Sequence, residues 1–77
     1  MMIGTVLEQI TLTRGLPGAE EKRWVRVRSG GQLLTALDPM DARPGEQVLL
    51  AAGPGAARLC PEVPVDAVIV GITGKNG

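Results

Sequence analysis

A chain of 77 residues in which eight basic and eight acidic side chains cancel has no general attraction toward nucleic acid or an anionic membrane surface. One cysteine and no histidine exclude an internal disulfide, remove the usual zinc ligands and deprive serine or cysteine charge-relay chemistry of its base. Below roughly 70 to 80 residues a lone core seldom supplies more than about 3 to 5 kcal/mol, so self-association is the expected source of the remaining stability.

The run Met1-Met2-Ile3-Gly4-Thr5-Val6 lacks the basic region and long apolar stretch of a signal peptide, and no segment reaches the roughly 20 apolar residues of a membrane span. A lone cysteine fits a reducing compartment. These features predict one soluble cytoplasmic domain over residues 1–77.

Turn signals punctuate the chain at Gly15-Leu16-Pro17-Gly18, Ser29-Gly30-Gly31, Asp38-Pro39, Arg43-Pro44-Gly45, Gly53-Pro54-Gly55 and Cys60-Pro61-Glu62-Val63-Pro64. The β-rich runs between them predict strands from Ile3 to Leu12, Lys22 to Arg28, Gln32 to Leu37, Gln47 to Ala52 and Asp66 to Ile72. This spacing indicates an all-β barrel or sandwich.

In the second run, Val25 and Val27 share one face, whereas Lys22, Trp24, Arg26 and Arg28 share the other. The only aromatic residue of the chain therefore lies on the charged side. Two readings of Trp24 stand open. Its ring lies across the stems of Arg26 and Arg28 on an open surface, or it anchors a subunit interface, where tryptophan and arginine are enriched.

The fourth run, Gln47-Val48-Leu49-Leu50-Ala51-Ala52, is apolar on both faces. After it, Gly53 to Leu59 is expected to make one short helical turn. A glycine-rich loop before a helix can bind an anion through its backbone amides, but the GxxxxGK[ST] pattern is missing here. A structural turn is the simpler account. Cys60, between Leu59 and Pro61, reads as a small buried apolar residue. Asp38, Asp41, Glu46, Glu62 and Asp66 lie beside turns or strand starts, where carboxylates accept backbone hydrogen bonds. No spacing among them argues for acid and base catalysis.

The last run is two-faced again. Val68, Val70 and Ile72 lie on one side, with Val65, Ala67, Ile69 and Gly71 on the other. The bulkier set is expected to fill the interior. The smaller set, Ala67 and Gly71 around Ile69, is expected to let another subunit approach closely.

The order Leu37-Asp38, Ala42-Arg43-Pro44-Gly45-Glu46-Gln47-Val48-Leu49-Leu50, Gly53-Pro54-Gly55-Ala56-Ala57-Arg58 and Pro64-Val65-Asp66-Ala67-Val68-Ile69-Val70-Gly71-Ile72 resembles the EutN/CcmL vertex proteins of bacterial microcompartments. The resemblance implies a five-stranded, OB-like barrel that assembles into a cyclic homopentamer. Such rings close the vertices of a polyhedral shell tiled mainly by hexameric shell proteins, and they need no cofactor. It further implies that Gly53, Ala56, Ala57 and Arg58 lie in a loop near subunit contacts or the axial pore, and that Ala67, Ile69 and Gly71 form the packed outer face. The chain departs from the family pattern at Pro54-Gly55, where a serine is usual, and at Thr73-Gly74-Lys75-Asn76-Gly77, a polar tail expected to be mobile that stands after Ile72 in place of the closing Ile-Asp pair. The alternative is an OB-like oligomeric module that binds an anionic ligand or single-stranded nucleic acid. The latter needs aromatic stacking platforms and a basic groove.

Overall fold

Short β-rich runs between frequent turns fold as five strands: β1 (Met2–Ile10), β2 (Trp24–Ser29), β3 (Gln32–Leu37), β4 (Gln47–Ala52) and β5 (Ala67–Ile72). The computed structural model describes residues 2–15, 18–54, 56 and 66–74. The strands close into a barrel in the order β1-β2-β3-β5-β4. Every neighbouring pair is antiparallel except β3 with β5, which run parallel and meet at Leu37 opposite Val68. The expected barrel and all five expected strands are present.

Turn chemistry sets the register. Gly30 and Gly31 both have positive φ, 56° and 84°, between the paired Ser29 and Gln32. That is the geometry of a two-residue type I′ hairpin, which side-chain-bearing residues adopt with difficulty. The Ser29 hydroxyl donates to the Ile3 carbonyl at 2.8 Å, tying the hairpin tip to β1. At the second turn, Pro44 precedes Gly45, whose φ is 92°, and the Glu46 amide donates to the Arg43 carbonyl at 3.1 Å. This is a type II turn with its preferred residues in place. The Gly45 amide donates to the Val6 carbonyl and the Val6 amide to the Glu46 carbonyl, so the turn is bonded to the middle of β1.

The barrel interior is narrow and filled mainly by small or β-branched side chains: Val6, Val25, Val27, Ala36, Val48, Leu50, Ala67 and Ile69, with Ala42 from the loop. At Gly4 there is no room for even a methyl group, because a Cβ there would strike Val27 Cγ1 and lie 2.9 Å from the Arg28 carbonyl oxygen.

This interior corrects the expected facing of the last strand. Ala67 and Ile69 are fully buried in the core, whereas Val70 and Ile72 are each 36% exposed and Val68 belongs to a separate cluster. Register is the cause for residues 67 to 69, while Ile72, though 36% exposed, stands opposite the buried Val48 and shares its inner face as expected. Ile69 stands opposite Leu50 and Ala67 opposite Ala52, and cross-strand partners share a face. An irregularity then leaves Val70 without a partner, since Leu49 pairs with Gly71 and Leu50 with Ile69. A bulge of this kind breaks strict alternation.

Truncating Ile69 to Ala is expected to cost about 2 to 5 kcal/mol through a core cavity, whereas Val70→Ala should cost less than about 1 kcal/mol. Gly4→Val should overpack the interior and cost about 1 to 3 kcal/mol. Urea unfolding followed by far-ultraviolet circular dichroism checks all three, and equal costs at positions 69 and 70 would contradict the observed facing.

Candidate subunit interface

The outer surface of the barrel carries an apolar belt. Ile10 stands opposite Trp24, Trp24 opposite Leu37, Leu37 opposite Val68 and Val68 opposite Ala51, so the belt crosses all five strands. Its own chain covers it. Ala19 and Leu12 from the β1–β2 connection and Ala56 from the turn after β4 join Trp24, Leu37 and Val68 in a second hydrophobic cluster. The Trp24 ring is 8% exposed, and its Nε1 donates to the Ala19 carbonyl at 2.8 Å. The reading with the ring lying over arginine stems on an open surface is thereby corrected. Arg26 instead stands opposite Glu8 on β1, with its Nε 3.8 Å from a carboxylate oxygen. Strand parity had put Trp24 on the outer face correctly; what covers that face comes from the adjoining β1–β2 connection and from the turn after β4.

A polar knot fixes the loop between β3 and β4. The Asp38 side chain, in a residue only 3% exposed, accepts hydrogen bonds from the amides of Met40 and Ala42 at 3.0 and 2.8 Å. It also accepts one from Arg23 Nε at 2.8 Å, while Arg23 Nη2 donates to the Ala42 carbonyl at 2.9 Å. Asp41, 3.5 Å from the same Arg23 Nε, takes a positive φ of 56°, a conformation aspartate tolerates better than most residues. The Asp-Pro signal made the backbone role of Asp38 foreseeable. Nothing in the sequence named Arg23 as its partner.

One concavity among the described residues is an open groove of about 950 Å³ whose walls include Thr5, Arg43, Gln47, Ile72 and Thr73. The amide and hydroxyl of Thr73 both donate to the Gln47 carbonyl, at 2.9 and 3.2 Å, so pairing with β4 continues past the end of β5. Among the described residues, no three histidine, cysteine, aspartate or glutamate side chains converge as a metal site would require.

The sequence model described as "Ethanolamine utilisation protein EutN/carboxysome" matches residues 1–73. The chain belongs to the EutN/CcmL family. Among solved structures, EutN from Escherichia coli is similar at 31% identity and a TM-score of 0.78, with 95% of this chain and 84% of that one covered. A pentameric shell protein from the RMM microcompartment is 28% identical at a TM-score of 0.82, with 95% and 100% covered. The GrpN pentameric microcompartment shell protein from Rhodospirillum rubrum is 25% identical at 0.83, with 96% and 94% covered. Among curated proteins none matches.

Within this EutN/CcmL barrel the interface candidates named from sequence separate. Ala67 and Ile69 lie in the interior, where no second subunit reaches them, because the closed sheet surrounds them. Ala56 is fully buried against the outer belt. Gly53 is exposed with a φ of 60°, and its amide donates to the Asp66 carbonyl at 3.3 Å. Pro54 and Ala56 lie in the expected helical turn, while Ala57, Arg58 and Cys60 fall outside the described residues, as do residues 75–77 of the tail. Gly71 alone of the last strand's three candidates faces outward, paired with Leu49. Exposed apolar residues that the sequence did not single out include Leu7, Met40 and, most exposed, Ile3 at 58% and Leu33 at 57%. A β1 or β3 position beside a hairpin tip carries no signal of its own exposure.

Two substitutions test the outer scaffold. Asp38→Asn places an amide donor against donors and should destabilise the fold by about 2 kcal/mol, and Trp24→Phe removes the bond to Ala19 at a cost of about 1 kcal/mol. Urea midpoints unchanged by either would show that the knot and the belt cover contribute little.

Proposed function

We propose that five copies of this chain close into a ring that caps a vertex of a bacterial microcompartment shell in the cytoplasm, beside hexameric shell proteins, as a structural and non-enzymatic component. The observation that carries this is the family match over residues 1–73, joined to a likeness that spans the full length of a pentameric shell protein. Physical constraints favour it too. A sheet of hexagonal tiles stays flat unless five-fold units interrupt it, and a small barrel with apolar outer surface gains stability by ring closure. A shape-matching role needs no cofactor and no reacting side chains.

The alternative of single-stranded nucleic acid binding loses its main support. Stacking needs exposed rings, and the one aromatic side chain, Trp24, is turned into the belt. An anion-binding module would have to use the segment from Gly53 to Arg58, and the described part of that turn is packed through Ala56.

Native mass spectrometry at micromolar concentration is expected to give five times the 8.0 kDa of one chain. Co-expression with hexameric shell proteins should give closed particles, with open vertices when this chain is left out. A stable folded monomer, or equal closure with and without the chain, would overturn the vertex role.

A further inference from the structure

One outward-facing row is only partly covered by its own subunit among the described residues. Ile3 on β1 stands opposite Leu49 on β4, and Leu49 opposite Gly71 on β5. The alternate positions Gly4, Val48 and Leu50 point into the core, so this row points away from it. Ile3 is 58% exposed, Leu49 is half-buried, and the unpaired Val70 beside them is 36% exposed. No charge interrupts the row. Along the barrel its neighbour is the polar pair Thr5 and Gln47, giving an apolar centre with a polar margin, as subunit contacts have.

Gly71 supplies a second and independent observation. A glycine inside a strand weakens it by roughly 0.5 to 1 kcal/mol relative to alanine, so it calls for a reason. Gly4 has one, since a Cβ there would collide with Val27 and Arg28. Gly71 has no steric reason of that kind among the described residues. Its φ is not positive, and a Cβ built on it meets no atom within 4 Å. A strand glycine marks either a bulge or the close approach of another body, and Gly71 combines the two, since it follows the bulge at Val70 and lies on the open flank where a second body can approach.

We infer that the row Ile3, Leu49 and Gly71, with Val70 at its side, is one half of the contact between neighbouring copies of this chain. Gly71 is the point where the adjacent subunit comes nearest. The inference rests on the ring proposed above and specifies its surface. A ring closes by head-to-tail contacts, in which each copy presents two different patches, and the outer belt is already occupied by Ala19 and Ala56. A second copy is the occupant because the same fold, over 95% of this chain, is that of a pentameric shell protein.

Gly71→Val and Ile3→Asp separate this role from folding. Valine at 71 enters open space in the subunit and suits a strand, and aspartate at the exposed position 3 leaves the core untouched. Both variants should keep the far-ultraviolet spectrum of the parent, and both should raise by about tenfold or more the protein concentration at which the ring falls apart, read by native mass on a dilution series. If the parent is a ring and both variants remain rings at parental dilution, the assignment of this surface is wrong while the ring stands. If the parent is itself a monomer, ring and surface fall together. Should Gly71→Val fail to fold, Ile3→Asp alone decides, with retained assembly counting against the surface.

Discussion

The interior capacity of a five-stranded barrel governs the rest of this molecule. Five short strands around one axis enclose a space narrower than that of eight-stranded barrels, whose interiors side chains just fill. The inward positions accordingly hold valines, alanines, one leucine and one isoleucine, with a glycine at the tightest point. Close packing of this kind leaves no place for tryptophan. The larger apolar side chains Trp24 of β2 and Leu37 of β3 stand outside, where the chain covers them again.

That second layer explains the loops. The connection between β1 and β2 returns Ala19 over Trp24 and accepts its indole hydrogen, and the turn after β4 lays Ala56 on the same cluster. On the opposite flank of β2, Arg23 and Asp38 hold the β3–β4 loop through four hydrogen bonds, three to the carboxylate and one to a backbone carbonyl. Each such device replaces apolar volume the small core lacks. Among the described residues the covering stops on the flank of β1, β4 and β5, where the apolar surface stays open and self-association can remove it from water.

An assembly role follows more naturally from this arrangement than a chemical one. The buried charged group among the described residues, Asp38, spends its oxygens on backbone amides and Arg23. The groove beside Arg43 and Thr73 is open to solvent and lined in part by the turn that fixes register. Precision in this protein is invested in the shape of its outer faces, which suits a subunit whose family builds shells.

The sequence by itself determined the number and place of the strands, because glycine and proline limit where extended runs can lie, and it determined the facing of β2, where valines alternate with charged residues. Tertiary structure alone decided the facing of β5, Gly71 included: alternation groups it with Ala67 and Ile69, and the bulge at Val70 turns it outward. Both sides of that strand are apolar, so periodicity has no contrast to report, and the choice falls to the register that sets Ile69 against Leu50 and to the bulge at Val70. The same holds for Trp24. Its outward direction was legible from two-residue alternation, but its burial depends on Ala19, Leu37, Val68 and Ala56 meeting around it. Leu37 is brought to Trp24 by the β2–β3 hairpin, whereas Val68 and Ala56 come from beyond β4, and only closure of the barrel brings them to the same cluster.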